Sequence, residues 1–346
     1  MTVKKQPQSW QRQDFLRIVA AAGILGAAAK LGLDQFQAPV QARESRILMG
    51  TVVNLTVLGE DQDRTTAAVR ACLDRMEALE SILSRYQPSS QLSLLNRKGS
   101  LPDPHPALQK VVRAAVHLAD QTEGKFDPTV KPLVDLYQKT YQQEAGLPGH
   151  EQIQAALELV DFRQVILAED QIRFQQQGMS LTLDGIAKGF IVQEGLRALR
   201  GFGFVDQLVE AGGDLAAGGL NRRGEPWTIG IRNPRKGGQA ALSRVRVANQ
   251  ALATSGDYQQ PFGHSFEHHH ILDPRRGHSD PELASVTVRA PGAMAADGYA
   301  TAVMVMGARE GIGFLESQPG VEGLLVTKDG QIMSSSGFDG GGSQVG

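Results

Sequence analysis

The sequence predicts a soluble globular protein of mixed α and β structure, in the α/β or α+β class. Of its 346 residues, 41% are apolar, 21% are charged and 39 are glycine, which fits a folded chain rather than a disordered or fibrous one. Segments with a period of two residues occur together with apolar stripes of period 3.6, so strands and amphipathic helices are both expected. No Ser/Pro-rich linker divides the chain, and one large domain fits at least as well as two.

The first 42 residues have the pattern of an export signal. A basic start precedes an apolar run from Ile18 to about Leu33, and "VQA" at 40–42 resembles a small-residue cleavage site. The segment "RQDFLR" is similar to a twin-arginine signal, with Gln13 in place of the second arginine. We therefore predict an exported protein, either periplasmic or attached to the outer face of the inner membrane through this leader.

The remaining chain is predicted to be a domain over 43–333 followed by a flexible tail over 334–346. The formal net charge is −2 and no block of basic residues occurs, so we expect no nucleic-acid partner. Cys72 is the single cysteine, which excludes a disulfide framework, and its place on an apolar helical face predicts a buried thiol.

The first half of the domain contains alternating and helical patterns in turn. In order, they predict a strand over 47–58, a helix over 64–86, a loop over 96–108, a helix over 107–124, a turn over 124–133, a polar stretch to 149, a short helix over 151–160, paired strands around 164–170 and 180–184, and a helix over 185–201.

The second half alternates short strands with glycine-rich turns and ends in a helix. The strands are expected within 207–220, 226–234, 244–257 and 283–291, and the helix over 290–307.

This last helix is almost entirely apolar but carries Asp297 and Thr301 four residues apart. Residues at i and i+4 lie one above the other, so their oxygens can converge on one point. The other interpretation is that Asp297 caps the helix and Thr301 bonds back to a carbonyl.

Three other segments contain groups suited to a ligand. Lys188 opens a helix after a glycine-flanked turn, which suits phosphate, although a solvent-facing lysine fits as well. "VEAGGDLAAGG" permits close approach of a ligand or forms a tight hairpin. "HHHILDPRRG" predicts a short strand with His270 and Asp273 at its edge, or a solvent-facing metal-binding tract.

Taken in order, these motifs resemble the ApbE family of FAD:protein FMN transferases over nearly the whole chain after the leader. The matching segments are "MGT" at Met49, "SRYQPSSQLSLLN" from Ser84, "GKFDPTVKPL" from Gly124, "DGIAKGF" from Asp184, "EAGGDLAAGG" from Glu210, "ATSGDY" from Ala253, "HHILDPRRG" from His269 and "AADGYATAVMVMG" from Ala295.

The resemblance implies a single α+β (mixed α/β) domain with central antiparallel or mixed sheets flanked by helices. It also implies a Mg²⁺-dependent transferase that splits FAD at the pyrophosphate and attaches FMN to a threonine of an acceptor protein, releasing AMP. The expected acceptor is a flavin-carrying subunit of a membrane redox complex. Two alternatives remain open, an FAD pyrophosphatase that yields FMN and AMP, and a non-catalytic exported FAD-binding protein.

The site residues follow from the resemblance position by position. It implies metal ligands at Gly185, Asp297 and Thr301, a catalytic role for His270, and FAD contacts at Met49, Tyr86, Lys125, Phe126, Asp127, Lys188 and Ile271. Thr182 and Asp184, in the segment before Lys188, are also expected to contact the cofactor. Asp273 is expected to act as a fallback base or to orient His270.

Two departures from the family pattern stand out. The family often has an acid where this chain has Ala295, and it commonly reads D-L-G-x-I-A-K-G where this chain has Thr182 and Asp184 in place of the acid and a glycine. Along a strand, two residues preserve the side-chain face, so one interpretation is that Asp184 partly restores the missing charge. Loss or change of a cofactor contact is the competing interpretation.

Overall fold

The computed structural model describes residues 39–143, 146–235, 241–262 and 266–339. The predicted leader up to position 38 lies outside the described residues. Strand β1 begins at Val40 and pairs with the next strand along its whole length. The predicted cleavage site after Ala42 therefore falls inside β1, and this strand begins before the predicted domain boundary at 43. Within the described ranges, no helix is both long enough and apolar enough to cross a membrane.

The described residues form helices and strands with the following bounds. The strands are β1 (Val40–Leu48), β2 (Thr51–Gly59), β3 (Ser100–Pro102), β4 (Val165–Leu167), β5 (Gln171–Phe174), β6 (Gln207–Ala211), β7 (Asp214–Gly218), β8 (Trp227–Arg232), β9 (Ala241–Val247), β10 (Ala251–Gly256), β11 (Leu283–Ala290), β12 (Glu322–Thr327) and β13 (Ile332–Ser334). The helices are α1 (Gln62–Leu83), α2 (Gln91–Lys98), α3 (Pro106–Gln121), α4 (Lys131–Gln142), α5 (His150–Leu157), α6 (Ala187–Gly201), α7 (Ala293–Met306) and α8 (Ala308–Ser317).

Among the residues that the structure describes, the main sheet has eight strands in the order β1-β2-β6-β7-β10-β11-β12-β13, and all of their pairs are antiparallel. Two small antiparallel sheets accompany it, β3-β5-β4 and β8-β9. Helix α7 packs on β10 and β11, and α6 packs between α1 and α7. The predicted α+β class, with antiparallel sheets flanked by helices, is confirmed.

The predicted strand over 47–58 is in fact part of a hairpin. Met49 and Gly50 both have positive φ, 53° and 71°, and they form the two-residue turn between β1 and β2. Turns of this kind match the twist of the flanking strands. The prediction missed the turn because Met is an unusual residue in such a turn and the apolar alternation continues across it.

The prediction for the segment before α6 was wrong. Residues 180–184 belong to none of the described strands, and β4 pairs instead with β5. Asn96 satisfies the backbone there, since its side chain bonds to both N–H and C=O of Leu181 at 2.7 and 2.8 Å. Thr182 N donates to Pro128 O at 2.8 Å. The strand that the same-face argument for Thr182 and Asp184 assumed is therefore not formed.

Several helical segments were predicted as loops or not predicted. Helix α2 lies partly in the predicted loop over 96–108, and α4 occupies most of the predicted polar stretch. Pro132 lies in the first turn of α4, where the missing N–H costs nothing. Helix α8 and strands β12 and β13 follow α7 without having been predicted.

The predicted tail over 334–346 is only partly a tail. Ser334 ends β13, and Ser335 accepts a hydrogen bond from Gly323 N at 2.9 Å. Phe338 is buried, with the Arg289 guanidinium 5.6 Å from its ring centroid. Residues from 340 onwards lie outside the described ranges.

Candidate active site

Asp297 and Thr301 lie one turn apart inside α7, which begins after its N-cap residue Gly292. Asp297 therefore does not cap its own helix. Its Oδ2 accepts from Gly189 N at 2.8 Å, which is one of the free N–H groups in the first turn of α6. Only 4% of Asp297 is exposed. The carboxylate thus joins two helices.

Gly185 lies directly against Thr301. A Cβ at Gly185 would come within 2.9 Å of both Oγ1 and Cγ2 of Thr301, so only glycine fits without displacement. Gly189 approaches α7 just as closely, since a Cβ there would lie 2.2 Å from the Ala293 carbonyl oxygen. The segment from Gly185 to Gly189 therefore packs tightly onto the helical face that carries Asp297 and Thr301.

Ser255 completes this group of oxygens. Its Oγ lies 3.1 Å from Thr301 Oγ1, and Ser255 belongs to β10, on which α7 packs. Ser255 lies in "ATSGDY", which lacks the G-x-S-x-G motif of a nucleophilic serine. The structure instead places Ser255 beside a predicted metal ligand.

Lys188 is the second residue of α6 and forms a buried ion pair. Its Nζ lies 3.2 Å from Oδ2 of Asp214, whose side chain is 1% exposed. Burial opposes the charge on Lys188, but the Asp214 and Asp297 carboxylates outweigh it and raise the pKa of the lysine. Lys188 is therefore a fixed positive charge at a helix N-terminus.

Burial raises the pKa of Asp297 well above its ordinary value, and the nearby Asp214 carboxylate adds to the shift. Lys188 and the Gly189 N–H favour the charged form and offset only part of it. A carboxylate in such a position is stabilised by a further cation.

His270 belongs to the same group by its electrostatic contacts. Burial lowers the pKa of His270 to about 4; Asp184 raises this pKa, whereas Lys188 and Arg85 lower it. Its Nδ1 is buried and has no hydrogen-bond partner among the described residues. The imidazole is thus neutral at pH 7 with a ring nitrogen free.

Asp273 is engaged elsewhere. Its carboxylate accepts from Arg275 N, Nε and Nη2 at 2.8, 3.2 and 3.1 Å, and it pairs with Arg276. These contacts cap a turn rather than orient His270. The predicted strand at this position is reduced to one bridge between His269 and Pro261. Ile271 is buried in the cluster around α7.

The three residues of the predicted "KFD" contact, Lys125, Phe126 and Asp127, have their partners within the protein itself. Lys125 Nζ pairs with Glu310 Oε1 at 2.6 Å, and Phe126 is buried in the main core. Asp127 accepts from Thr129 N and Phe162 N at 2.7 and 3.0 Å, so it caps a short helical turn. The structure does not bring these three side chains into contact with Asp297 or Lys188.

Tyr86 and Asp184 lie together beside Gly185. The Tyr86 hydroxyl is 3.1 Å from Asp184 Oδ2, and Arg85 Nε donates to the same oxygen at 2.6 Å. Thr182 Oγ1 accepts from Asp184 N at 3.2 Å, which closes a local turn. Met49 is half-buried in the β1–β2 turn.

Sequence reasoning gave no role to three residues of this group, Asp214, Arg85 and Ser255. The sequence does contain a signal for Asp214, which is a carboxylate at the start of the otherwise apolar segment "DLAAG". This segment forms a strand that is buried along its whole length. A buried acid of this kind requires a partner. Ala295 lies two residues from Asp297, and residues so spaced on a helix do not face each other. Ala295 therefore does not leave a gap beside Asp297 and Thr301.

Oxygen donors dominate the site. Within the described ranges, no three His, Cys, Asp or Glu side chains form a group that could hold a metal ion. A cation here would depend on one carboxylate, hydroxyl and backbone oxygens, and oxygens of the substrate. Such hard donors suit Mg²⁺.

Comparison with known proteins agrees with this geometry. The profile of the ApbE family matches residues 49–325. A Treponema pallidum protein named FAD:protein FMN transferase is 31% identical over an alignment that covers 95% of this chain and 94% of the relative. The structure of flavin transferase ApbE from Vibrio cholerae superposes with a TM-score of 0.75 at 29% identity, covering 86% of this chain and 98% of that one. The ApbE protein from Thermotoga maritima gives a TM-score of 0.79 at 27% identity, covering 86% and 97%. The chain belongs to the ApbE family.

Proposed function

We propose that this protein is an FAD:protein FMN transferase. It transfers the FMN half of FAD to a threonine hydroxyl of an acceptor protein, releases AMP, and uses Mg²⁺ held by Asp297, Thr301 and the Gly185 carbonyl. The observation that carries the proposal is the convergence of Asp297, Thr301 and Gly185 beside Lys188, in a family whose relatives are named for this activity.

The residues present fit a divalent cation. Asp297 is buried with a raised pKa, and Asp214 adds a second buried carboxylate, while Lys188 supplies one positive charge for the two. Mg²⁺ bound there would supply a Lewis acid that neutralises charge on the pyrophosphate.

The reaction breaks the phosphoanhydride bond of the FAD pyrophosphate and forms a phosphoester bond to the threonine. The threonine oxygen attacks the phosphorus of the FMN half, and the bond from that phosphorus to the AMP oxygen breaks. AMP leaves with the electron pair, and the threonine proton passes to a base. Lys188, fixed by Asp214, provides positive charge for the phosphates at the N-terminus of α6.

His270 is the candidate base. Its free ring nitrogen and neutral state at pH 7 allow it to accept the threonine proton. Its lowered pKa makes it a weak base, but loose phosphoryl-transfer transition states demand little of one. Asp273, which the arginine contacts engage, has a structural role in this proposal.

The partners and the compartment are part of the proposal. The acceptor is a flavin-carrying subunit of a membrane redox complex, and no nucleic acid is involved. The export-type pattern of the first 42 residues supports a periplasmic protein or one held at the outer face of the inner membrane by its leader.

The products of one incubation test the proposal. The protein is mixed with FAD, Mg²⁺ and a candidate acceptor subunit, and the acceptor is analysed by intact mass and in-gel flavin fluorescence. FMN on the acceptor with AMP in solution supports transfer. Free FMN and AMP without labelling indicate a pyrophosphatase, and unchanged FAD indicates a binding protein; either result contradicts the proposal.

A further inference from the structure

Asp184 directs its carboxylate to two neighbours that precede α2. Its Oδ2 accepts from Arg85 Nε at 2.6 Å and from the Tyr86 hydroxyl at 3.1 Å. Asp184 had been predicted from the sequence to contact FAD itself. Oδ2 of Asp184 is therefore already shared by two donors from this chain.

Arg85 is held from several directions. Its side chain is 6% exposed, and Nη1 lies 3.6 Å from Oδ1 of Asp135 on α4. Its Nη2 donates to the Tyr86 hydroxyl at 2.7 Å, and its guanidinium lies 4.4 Å from the centroid of the Tyr86 ring. The guanidinium of Arg85 is therefore buried and fixed by its contacts with Asp135, Tyr86 and Asp184, and it is not a free surface cation.

Both hydrogen-bonding functions of the Tyr86 hydroxyl are used. It accepts from Arg85 and donates to Asp184. Burial and the Asp184 carboxylate raise the pKa of Tyr86 to about 12, so the hydroxyl keeps its proton as donor. The residue as a whole is nevertheless 62% exposed.

An exposed aromatic ring whose hydroxyl is fixed is suited to stacking. It offers flat apolar area, and because its rotamer is set before a ligand binds, little side-chain entropy remains to be lost. Asp184 immediately precedes Gly185, so this ring is anchored to the segment that packs on Thr301.

We infer that Asp184 is a positioning residue: with Arg85 it holds Tyr86 as a preformed stacking surface for an aromatic ring of FAD, and it does not bind FAD directly. The inference rests on the proposed function, because it takes FAD as the ligand. It also gives the change from glycine to acid at this position a physical role.

Binding of FAD, followed by quenching of flavin fluorescence in Mg²⁺-free buffer, tests the inference. Asp184→Asn is expected to weaken binding about fivefold and to reduce the maximal quench, because the ring is no longer held against the bound flavin nucleotide. Tyr86→Phe, which keeps the ring and loses both hydroxyl bonds, is expected to behave alike. The double variant is expected to be no weaker than Tyr86→Phe alone.

Asp135→Asn is the matched control, since it removes a carboxylate that touches Arg85 but not Tyr86. It is expected to change affinity by less than about twofold with the full quench retained. Parental affinity and quench in Asp184→Asn would overturn the inference, as would losses that add in the double variant, because Asp184 would then act on FAD without Tyr86. A parent protein that binds no FAD would instead overturn the proposed function. If the parent labels the acceptor with FMN and Asp184→Asn binds FAD as the parent does, the inference alone is overturned.

Discussion

Lys188 and Asp214 form an ion pair in which Nζ lies 3.2 Å from Oδ2, on the first turn of α6 and the first residue of β7. Asp214 also accepts from Thr254 N at 3.3 Å, so the carboxylate connects three elements. The pair places one positive charge beside the Asp297 carboxylate, and it therefore belongs both to the core and to the candidate site.

Asp214→Asn is expected to lower the free energy of unfolding by about 3 kcal/mol, because it leaves the Lys188 ammonium without its buried partner. Urea denaturation measures the change. Asp74→Asn removes the acid of an exposed pair with Arg46 and serves as control, with an expected change below about 0.5 kcal/mol. Equal losses of unfolding free energy in the two variants would show that the buried Lys188–Asp214 pair stabilises the fold no more than the exposed pair does.

Gly185→Ala is expected to weaken divalent-cation binding by about tenfold or more, because the new methyl group must displace Thr301. Titration with Mn²⁺ followed by electron paramagnetic resonance measures this directly. Gly313→Ala is the matched control, since a Cβ at that helical position meets nothing within 4 Å. If Gly185→Ala bound Mn²⁺ as the parent does, Thr301 would not be a ligand at this site.

Ser255→Ala is expected to weaken cation binding about five- to tenfold. A hydroxyl that binds a cation through its lone pair must donate its hydrogen, and Ser255 Oγ is the acceptor that lies within reach of Thr301. The same Mn²⁺ titration applies. Thr254→Val alters the neighbouring strand position, whose hydroxyl contacts Thr287, and is expected to leave cation affinity unchanged. A loss in Thr254→Val as large as that in Ser255→Ala would contradict this role for Ser255.

His269 gives the fold a dependence on pH. Burial lowers its pKa to about 3, so between about pH 3 and pH 6.5 the unfolded chain binds a proton that the folded chain does not. Its contribution to stability is lost as the pH falls through this window and is fully restored above it. His269→Leu is expected to be less sensitive to acid by up to about 4 kcal/mol over that range. If the free energy of unfolding changed equally between pH 4 and pH 7 in the parent and in His269→Leu, the assignment would be contradicted.

The sequence was sufficient for the elements with strong local signals. The apolar stripe of Val69, Leu73, Met76 and Leu79 predicted α1, and its buried residues include all four. The spacing of Asp297 and Thr301 likewise predicted that both lie on one helix. The helical repeat is a local property of the backbone and does not depend on contacts with distant residues. The order of short motifs over the chain predicted the family.

What failed depended on contacts distant in sequence. Residues 180–184 have the alternation of a strand, but Asn96 satisfies their backbone in place of a neighbouring strand. Asp184 was assigned to the cofactor because its two partners, Arg85 and Tyr86, lie about a hundred residues earlier. Asp214 was taken with the glycine-rich hairpin, since only the folded sheet brings it to Lys188.

The proposed role of Asp297 and its neighbours is to support transfer of FMN to a protein threonine. Its most direct test is the intact mass of the acceptor after incubation with FAD and Mg²⁺, for the parent and for Asp297→Asn, with circular dichroism to establish that the variant is folded. The parent is expected to add one FMN to a threonine of the acceptor, and Asp297→Asn is expected to add none. Equal labelling of the acceptor by both proteins would contradict it.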